Sequence, residues 1–338
     1  MSLQRFVLTG LTALACLGSS EAFANGRNPG SLLVYPEFDN RQGDVTLLTV
    51  TNTNSDFTPS ANPLIAKGST YAHFKYIGRV GNVSGLELLC EEFDRTELLT
   101  PNDTITLLTR VHNPQQEQGY VYVYAQDIQG RPVVHNWLIG NVLTLNGLQA
   151  FEFSMNPFVY NGIGDGVLTN LDGDSNRDLD GVEYEESPDE ILIPRFLGQG
   201  GVYQSELILI GLTGGAKFLT TVDFLIYNDN EEQFSAEYSF LCWARVPLLQ
   251  ITGLFANNFL QNFTNDNPAE IVGAPMVESG WMRIDGALAD STAASIADPA
   301  ILAALIEKIG DRGASDLPFE RGLQNNGDLL PRSLFGDL

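Results

Sequence analysis

The sequence has few basic residues, since 18 lysines and arginines stand against 42 aspartates and glutamates, for a formal net charge of −24. Nucleic acids and anionic membrane surfaces both attract basic patches. This charge therefore argues against nucleic acid as a partner and against binding to an anionic membrane surface. The same acidity favours solubility and the binding of divalent cations.

The sequence also lacks the common catalytic motifs, because it contains no G-x-S-x-G, no H-E-x-x-H and no P-loop. Its three histidines, His73, His112 and His135, have no short-range spacing of the kind that zinc ligands show, so we interpret them as strand-face or turn residues. Pairs of carboxylates for glycoside hydrolysis stay open, because their separation depends on the fold. We expect no enzymatic activity, and an extracellular hydrolase is the third alternative.

Long apolar runs are missing as well, since no later segment has the roughly 18 apolar residues that a membrane-spanning helix needs. The first 24 residues have the pattern of a signal peptide. Arg5 is positive, residues 6–18 are apolar, and Ala22-Phe23-Ala24 has the small-x-small pattern of a cleavage site. We predict cleavage after Ala24 and a secreted protein, extracellular or at the cell surface, with the periplasm as an alternative.

Cysteine is rare, and the three cysteines have different expected roles. Cys16 lies in the predicted signal peptide; its lipidation is an alternative to cleavage that we disfavour, because alanine stands where a lipobox prefers leucine. An oxidising compartment permits one disulfide between Cys90 and Cys242. Two buried thiols are the alternative, since free cysteine is often buried.

Most of the chain has the pattern of β-strands. Residues 45–51 are β-branched and aliphatic, residues 120–125 alternate tyrosine with valine and alanine, and a second such region covers residues 203–251. Short strands between turn residues predict a mainly β protein with two antiparallel, immunoglobulin-like β-sandwich regions. The predicted divisions are a signal peptide (1–24), a first sandwich (25–160), an acidic connection (161–200), a second sandwich (201–290), and a C-terminal helix with an irregular tail (291–338).

Two further features bear on the organisation of the chain. Each half has a cysteine followed by paired leucines, with Cys90 before Leu98-Leu99 and Cys242 before Leu248-Leu249, which suggests a faint duplication. Near the C-terminus, Asp298 has the character of an N-cap, Pro299 of a first helical residue and Gly310 of a helix end. A helix between them would have one apolar stripe formed by Ile301, Leu302, Leu305, Ile306 and Ile309.

An acidic segment between the two β-regions has regularly spaced oxygen-bearing side chains. In a frame of twelve residues, positions 1, 3, 5, 7, 9 and 12 are Asp172, Asp174, Asn176, Asp178, Asp180 and Glu183. Calcium takes six to eight oxygen ligands, and a terminal acidic residue at position 12 can close the shell with two oxygens. The segment therefore predicts a site for Ca²⁺ as a structural ligand.

These residues resemble the aspartate-rich calcium loops of EF-hand, dockerin and thrombospondin type 3 repeats, over about twelve residues. The resemblance implies side-chain ligands from Asp172, Asp174, Asn176, Asp180 and Glu183, and a backbone carbonyl from Asp178. The sequence departs from the pattern at position 6, where Arg177 replaces the usual glycine. No flanking helices are evident, so a loop of the thrombospondin kind fits better than a helix–loop–helix.

The alternative interpretation of this segment is a solvated acidic linker, since residues 172–190 carry nine acidic side chains against one arginine. We favour calcium because the spacing is regular, and we expect a calcium-stabilised structural or interaction protein whose partners are other surface proteins or polysaccharide. A carbohydrate-binding or adhesive module is the alternative. Exposure of the tyrosines at 120, 122 and 124 would favour it.

Overall fold

The computed structural model describes residues 28–61, 66–83, 86–147, 151–264 and 277–332. The predicted signal peptide, residues 1–24, lies outside the described residues. The described residues form a mainly β structure of several antiparallel sheets, which confirms the predicted class. Helices in these ranges are single turns, namely α1 (Thr109–His112), α2 (Leu248–Ile251), α3 (Asn257–Leu260) and the 3₁₀ turns Gly253–Phe255 and Gln261–Phe263.

A first unit, residues 32–160, consists of a five-stranded and a four-stranded antiparallel sheet. Its strands are β1 (Leu32–Asp39), β2 (Asp44–Asn52), β3 (Thr70–Val83), β4 (Leu86–Leu99), β5 (Thr104–Leu108), β6 (Gln116–Gln126), β7 (Leu138–Asn146), β8 (Phe151–Met155) and β9 (Phe158–Tyr160). The strand orders are β4-β3-β6-β1-β9 and β5-β2-β7-β8. Buried and half-buried residues alternate strictly along β2, as expected where one face of a strand packs on the core.

A second unit, residues 190–321, also consists of two antiparallel sheets, one with six strands and one with four. Its strands are β11 (Glu190–Leu197), β12 (Glu206–Gly211), β13 (Leu219–Asn228), β14 (Gln233–Leu241), β15 (Trp243–Pro247), β16 (Ser279–Asp290), β17 (Ser295–Ala297), β18 (Ile301–Ile309), β19 (Arg312–Ser315) and β20 (Phe319–Arg321). The strand orders are β14-β13-β16-β11-β20 and β15-β12-β18-β19, with β17 added beside β16. This order repeats that of the first unit strand by strand.

The pairing registers show that the two units are internal structural repeats. In β1 the register shifts between Tyr35 and Phe38, and Phe38 pairs with Gly119 of β6. In β11 the register shifts between Ile193 and Phe196, and Phe196 pairs with Gly280 of β16. The bulged segments contain Pro36 and Pro194, whose missing N–H groups suit a bulge, where the ladder is interrupted.

The structural repeat does not match the duplication that the two cysteines and their leucine pairs suggest, because it does not place Cys90 and Cys242 at equivalent positions. Glu92 pairs with Ile77 in the first unit, and Gln233 pairs with Tyr227 at the equivalent place in the second. Cys90 therefore corresponds to Glu231, and both have a positive φ, of 62° and 63°.

The unit boundaries also differ from the predicted divisions. Strand β11 lies within the predicted acidic connection, 161–200, and strands β18 to β20 lie within the predicted helix and tail, 291–338.

The predicted C-terminal helix is wrong, because residues 301–309 form strand β18. This strand lies between β12 and β19, and its residues from Ile301 to Ile306 are buried on both faces. A short apolar run of this kind fits a fully buried strand as well as it fits a helix. Asp298 has a φ of 53°, outside the extended region that an N-cap occupies, and Gly310 has a φ of 61° in the turn that joins β18 to β19.

The strand order is also not that of an immunoglobulin constant domain, in which the first strand lies in the sheet of the second and fifth. Here β1 pairs with β6 and β9 in the five-stranded sheet, and β7 takes the place beside β2. The equivalent strands of the second unit, β11 and β18, lie in the same positions.

The two units are joined by direct contacts. A disulfide links Cys90 to Cys242, as predicted. Arg245 of β15 donates to Glu37 in the β1 bulge and to Glu206 of β12, at 2.6 Å each. The indole N–H of Trp243 donates to the carbonyl of residue 36 at 2.8 Å.

A separate short ladder is formed by β10 (Asp178–Leu179), from the segment between the units, and β21 (Gly327–Asp328), from the segment after β20.

Candidate metal centre

The acidic segment is shaped by aspartate side chains that accept hydrogen bonds from nearby backbone N–H groups. Asp172 accepts from the N–H of Asp174 at 3.0 Å, and Asp174 accepts from that of Asn176 at 2.8 Å. Asp180 accepts from the N–H groups of Val182 and Glu183 at 2.8 and 2.9 Å. These are the local turns that aspartate favours, and they bend the chain so that the two ends of the frame approach each other.

Three carboxylates of the predicted ligand set meet in space. Asp172, Asp178 and Glu183 each offer an oxygen, and these three oxygens lie within 4.8 Å of one another. They occupy positions 1, 7 and 12 of the twelve-residue frame. We refer to these three residues as the acidic cluster. Like charges at this separation repel each other, and a cation between them would convert the repulsion into attraction.

Glu183 is the buried member of the acidic cluster, with a relative exposure of 3%. One of its oxygens accepts a hydrogen bond from the N–H of Leu171. Its other oxygen, Oε2, is buried and accepts no hydrogen bond from any residue that the structure describes. Burial raises the pKa of the Glu183 carboxyl, against the lowering effect of the Leu171 N–H. A buried acceptor without a partner is costly, and a bound cation would satisfy it.

Asp178 is the half-buried member, and burial together with the neighbouring carboxylates raises its pKa to about 7. The resemblance to calcium loops implies a backbone ligand at this position. The Asp178 carbonyl accepts instead from the N–H of Tyr184 at 3.1 Å, and its carboxylate joins the acidic cluster.

Asp174, Asn176 and Asp180 are the remaining residues of the predicted ligand set. Among the described residues, the group of converging carboxylates does not include them. Asn176 is half-buried, and its N–H donates to Asp174.

The surroundings of Arg177 account for the absence of the glycine that stands at this position in the calcium loops that the segment resembles. Its N–H donates to the carbonyl of Leu329 at 3.2 Å, and its own carbonyl accepts from the N–H of Leu329 at 3.0 Å, so the chain is extended at this position. The guanidinium is buried over the ring of Tyr124, 4.8 Å from its centroid. An extended residue needs no glycine, and a cation over an aromatic ring is an attractive contact.

Asp328 is a neighbour that sequence reasoning missed. It lies opposite Asp178 in the ladder of β10 and β21, 150 positions further along the chain (328 − 178 = 150). Burial raises the pKa of Asp328 to about 7; Arg332 opposes this rise, and Asp178 and Asp174 add to it. No local pattern marks this residue, because only the fold brings β21 beside the loop.

The other predicted site residues have separate environments. His73 is hydrogen-bonded to Asp94 and Thr96, and His112 to the hydroxyl of Tyr76. His135 is hydrogen-bonded to Asn52, and burial lowers its pKa to about 4. The described parts of the chain bring no two of them together in a cluster of metal-ligating side chains.

The three tyrosines that would favour carbohydrate binding if exposed are buried. Tyr120 and Tyr122 have no exposed surface, and Tyr124 is 4% exposed. They stack along β6 and are covered by Arg177 and by the segment after β21.

Comparison with known proteins identifies no relative. No protein-family model matches the chain. Searches of curated proteins and of solved structures find no significantly similar protein. Within the described ranges, no helix has the length and apolar character needed to cross a membrane.

Proposed function

We propose that the protein is a secreted or cell-surface structural or interaction protein, without catalytic activity, that calcium stabilises. The observation that carries this proposal is the buried Oε2 of Glu183, which accepts no hydrogen bond among the described residues and belongs to a cluster with the carboxylates of Asp172 and Asp178. Calcium is the cation that fits best, because its ligands are oxygens and its coordination is flexible.

The place of the acidic cluster in the fold supports a stabilising role. The loop contains β10, which pairs with β21, and the segment 327–332, which begins with β21, touches both units. The Tyr122 hydroxyl of the first unit donates to the carbonyl of Leu329, and the Arg332 guanidinium donates to the carbonyl of Gly211 in the second unit. A cation that orders the loop would therefore also hold this segment between the units.

The disulfide supports the proposed location. Cys90 and Cys242 are bonded across the two units, and disulfides persist in oxidising compartments such as the cell exterior and the periplasm. The predicted signal peptide agrees with such a compartment.

Thermal unfolding with calcium or with EDTA tests the proposal. Ligand binding stabilises the folded state by about 2.7 kcal/mol when free calcium is 100-fold above its dissociation constant, and millimolar calcium suits weak extracellular sites. We expect a higher Tm with calcium than with EDTA. Asp172→Asn and Glu183→Gln should remove most of this difference.

Glu186→Gln is the matched control, because Glu186 is acidic and lies just outside the frame. It should keep the calcium response of the wild type. An unchanged Tm with calcium in the wild type, or the same loss in all three variants, would show that the segment is an acidic linker.

A further inference from the structure

The internal repeat allows the same face of both units to be compared. Because Gly119 and Gly280 are equivalent, Tyr120, Tyr122 and Tyr124 of β6 correspond to Trp281, Arg283 and Asp285 of β16. The three tyrosines are buried beneath other parts of the chain, whereas Trp281 is 39% exposed and Arg283 and Asp285 are half-buried. This face is thus covered in the first unit, whereas in the second unit the described residues leave it partly exposed. We call this face of the second unit the open face.

The chain segments that cover this face of the first unit carry two arginines. Arg177 lies over Tyr124, and the buried Arg332 lies beside Tyr120, whose pKa it lowers against the effect of burial. The two arginines belong to two short extended segments, which pair with each other through Arg177 and Leu329. In the first unit, this face therefore packs against extended polypeptide with arginine side chains.

The open face of the second unit carries acidic residues in a row across neighbouring strands. Asp223 of β13 lies directly opposite Glu237 of β14 on one side and opposite Asp285 of β16 on the other. Asp285 in turn lies opposite Glu190 of β11. Like charges directly opposite each other destabilise a sheet. The row therefore costs stability unless a cationic group lies over it.

The second unit's own arginines neutralise one end of this row. Arg283 forms an ion pair with Glu190 at 2.8 Å, and Arg321 is paired with the same carboxylate. Asp223, Glu237 and Asp285 line a cleft of about 530 Å³, where Arg283 is the one cationic side chain against three carboxylates. Oδ1 of Asp285 is itself buried and accepts no hydrogen bond in the part of the chain that the structure describes.

An aromatic pair borders the same face. Tyr227 and Trp281 are opposite each other on β13 and β16, and their rings stack with centroids 4.4 Å apart and planes 7° apart. The indole face is a good partner for a guanidinium or an ammonium group. Carboxylates and an aromatic ring on one surface are together complementary to arginine or lysine side chains.

We propose that the open face, formed by Asp223, Glu237, Asp285, Tyr227 and Trp281, binds an extended arginine- or lysine-rich segment of another protein. Such a segment is a class of partner for the proposed interaction role, on which this inference rests. Its binding does not depend on calcium, because the residues of the open face are separate from the acidic cluster. A second copy of this chain does not fit, since its net charge of −24 would oppose contact with an acidic face.

Fluorescence anisotropy with a labelled nine-residue peptide of alternating arginine and threonine tests the proposal, at about 0.1 M salt in calcium and in EDTA. We expect the wild type to bind the peptide in both solutions. A variant with Asp223→Asn, Glu237→Gln and Asp285→Asn should bind at least about 10-fold more weakly, because it loses the three charges that meet the peptide. Trp281→Ala should weaken binding by about 3-fold or more.

A control variant with Glu117→Gln, Glu152→Gln and Asp311→Asn removes the same charge from exposed sites elsewhere. It should change binding by less than about 2-fold, because distant exposed charges are screened at this salt concentration. The triple variant of the open face should unfold at the same temperature as the wild type or a higher one, since it removes repulsion between opposite carboxylates.

Equal weakening in both triple variants would overturn the proposal, because it would show unspecific attraction to an acidic protein. Absence of peptide binding by the wild type would overturn it too. The proposal would also be overturned if Trp281→Ala lost binding to sugars on a glycan array but kept its binding to the peptide. Peptide binding that persists in EDTA while Tm ignores calcium would refute the calcium proposal and leave this one standing.

Discussion

Asp178 lies directly opposite Asp328 in the ladder of β10 and β21, and the pKa of each carboxyl is raised to about 7. An aspartate in an unfolded chain has a pKa of about 3.9. Between about pH 4 and pH 7 the folded protein therefore binds more protons at these groups than the unfolded chain does. It follows that their contribution to the free energy of unfolding decreases as pH rises through this range.

The difference in Tm between Asp178→Asn and the wild type isolates one of these groups. In EDTA at pH 5 the Asp178 carboxyl is mostly neutral, so the two proteins should have similar Tm values. At pH 7.5 it is largely ionised, and Asp178→Asn should have the higher Tm. With calcium at pH 7.5 the order should reverse, because the cation binds the ionised carboxylate.

Asp311→Asn serves as the control, because Asp311 is an exposed turn residue far along the chain from the cluster. It should show no such dependence on pH or calcium. A wild type that is more stable than Asp178→Asn in EDTA at pH 7.5 would contradict the assigned pKa of Asp178.

Replacement of Arg177 tests whether position 6 of this loop behaves as it does in the calcium loops that the segment resembles. In those loops position 6 is glycine, so Arg177→Gly would restore their pattern. Here Arg177 is extended and packs over Tyr124, and glycine would remove this contact and add backbone freedom. We expect Arg177→Gly to lower the free energy of unfolding by about 2 kcal/mol, measured by urea denaturation.

Arg177→Lys is the matched control, because it keeps the charge and most of the apolar side chain. It should lose less stability than Arg177→Gly. If Arg177→Gly were as stable as the wild type and bound calcium more tightly, the loop would follow the EF-hand pattern after all.

The twelve-residue frame shows which parts of this site can be predicted from the sequence and which cannot. Spacing alone predicts that Asp172 and Glu183, at the two ends, meet, because alternating aspartates make successive turns. It does not predict that the Asp178 carboxylate joins them, since that depends on the pairing of β10 with a strand near the C-terminus. Asp328 could not be found for the same reason.

Strand β18 shows a different limit of sequence reasoning. Its residues Ile301, Leu302, Leu305 and Ile306 fit a helical stripe, yet Ala303 and Ala304 between them are buried as well. A strand covered on both faces has no period, so apolar spacing cannot separate it from a helix. The internal repeat leaves a clearer mark in the sequence, because β1 and β11 share an apolar run followed by proline, a charged residue and phenylalanine.

The buried ion pair between the units leads to a third prediction. Glu37 has no exposed surface, and burial raises its pKa although Arg245 opposes the rise. Arg245→Met would leave Glu37 buried without its cation, and loss of one partner of a buried pair costs about 3–5 kcal/mol. We expect a corresponding fall in the free energy of unfolding by urea denaturation at pH 7.5.

The double variant Arg245→Met with Glu37→Leu should recover much of that loss, because no buried charge remains at position 37. Arg131→Met is the control, since Arg131 forms an ion pair with Asp127 at the surface, and such pairs contribute about 1 kcal/mol or less. A double variant as unstable as Arg245→Met would mean that side-chain packing, and not charge, is what Arg245 provides.

The last prediction concerns Gly119 and Gly280, which are equivalent in the two units and lie 161 positions apart (280 − 119 = 161). A Cβ at Gly119 would lie 2.0 Å from the carbonyl oxygen of Ile77, and a Cβ at Gly280 would lie 2.3 Å from that of Tyr227. Both distances are shorter than any real contact, and both obstacles are backbone of the neighbouring strand. Each glycine therefore lets two strands approach beside the bulge of its unit.

Gly119→Ala and Gly280→Ala should each lower the free energy of unfolding by about 2–3 kcal/mol, measured by urea denaturation, because the strands must move apart. Gly253→Ala is the control, since a Cβ there meets no atom within 4 Å. Its stability should stay within about 0.5 kcal/mol of the wild type. If one of the two glycines tolerated alanine as well as position 253 does, the two bulges would be similar in strand pairing but would not share the same packing constraint.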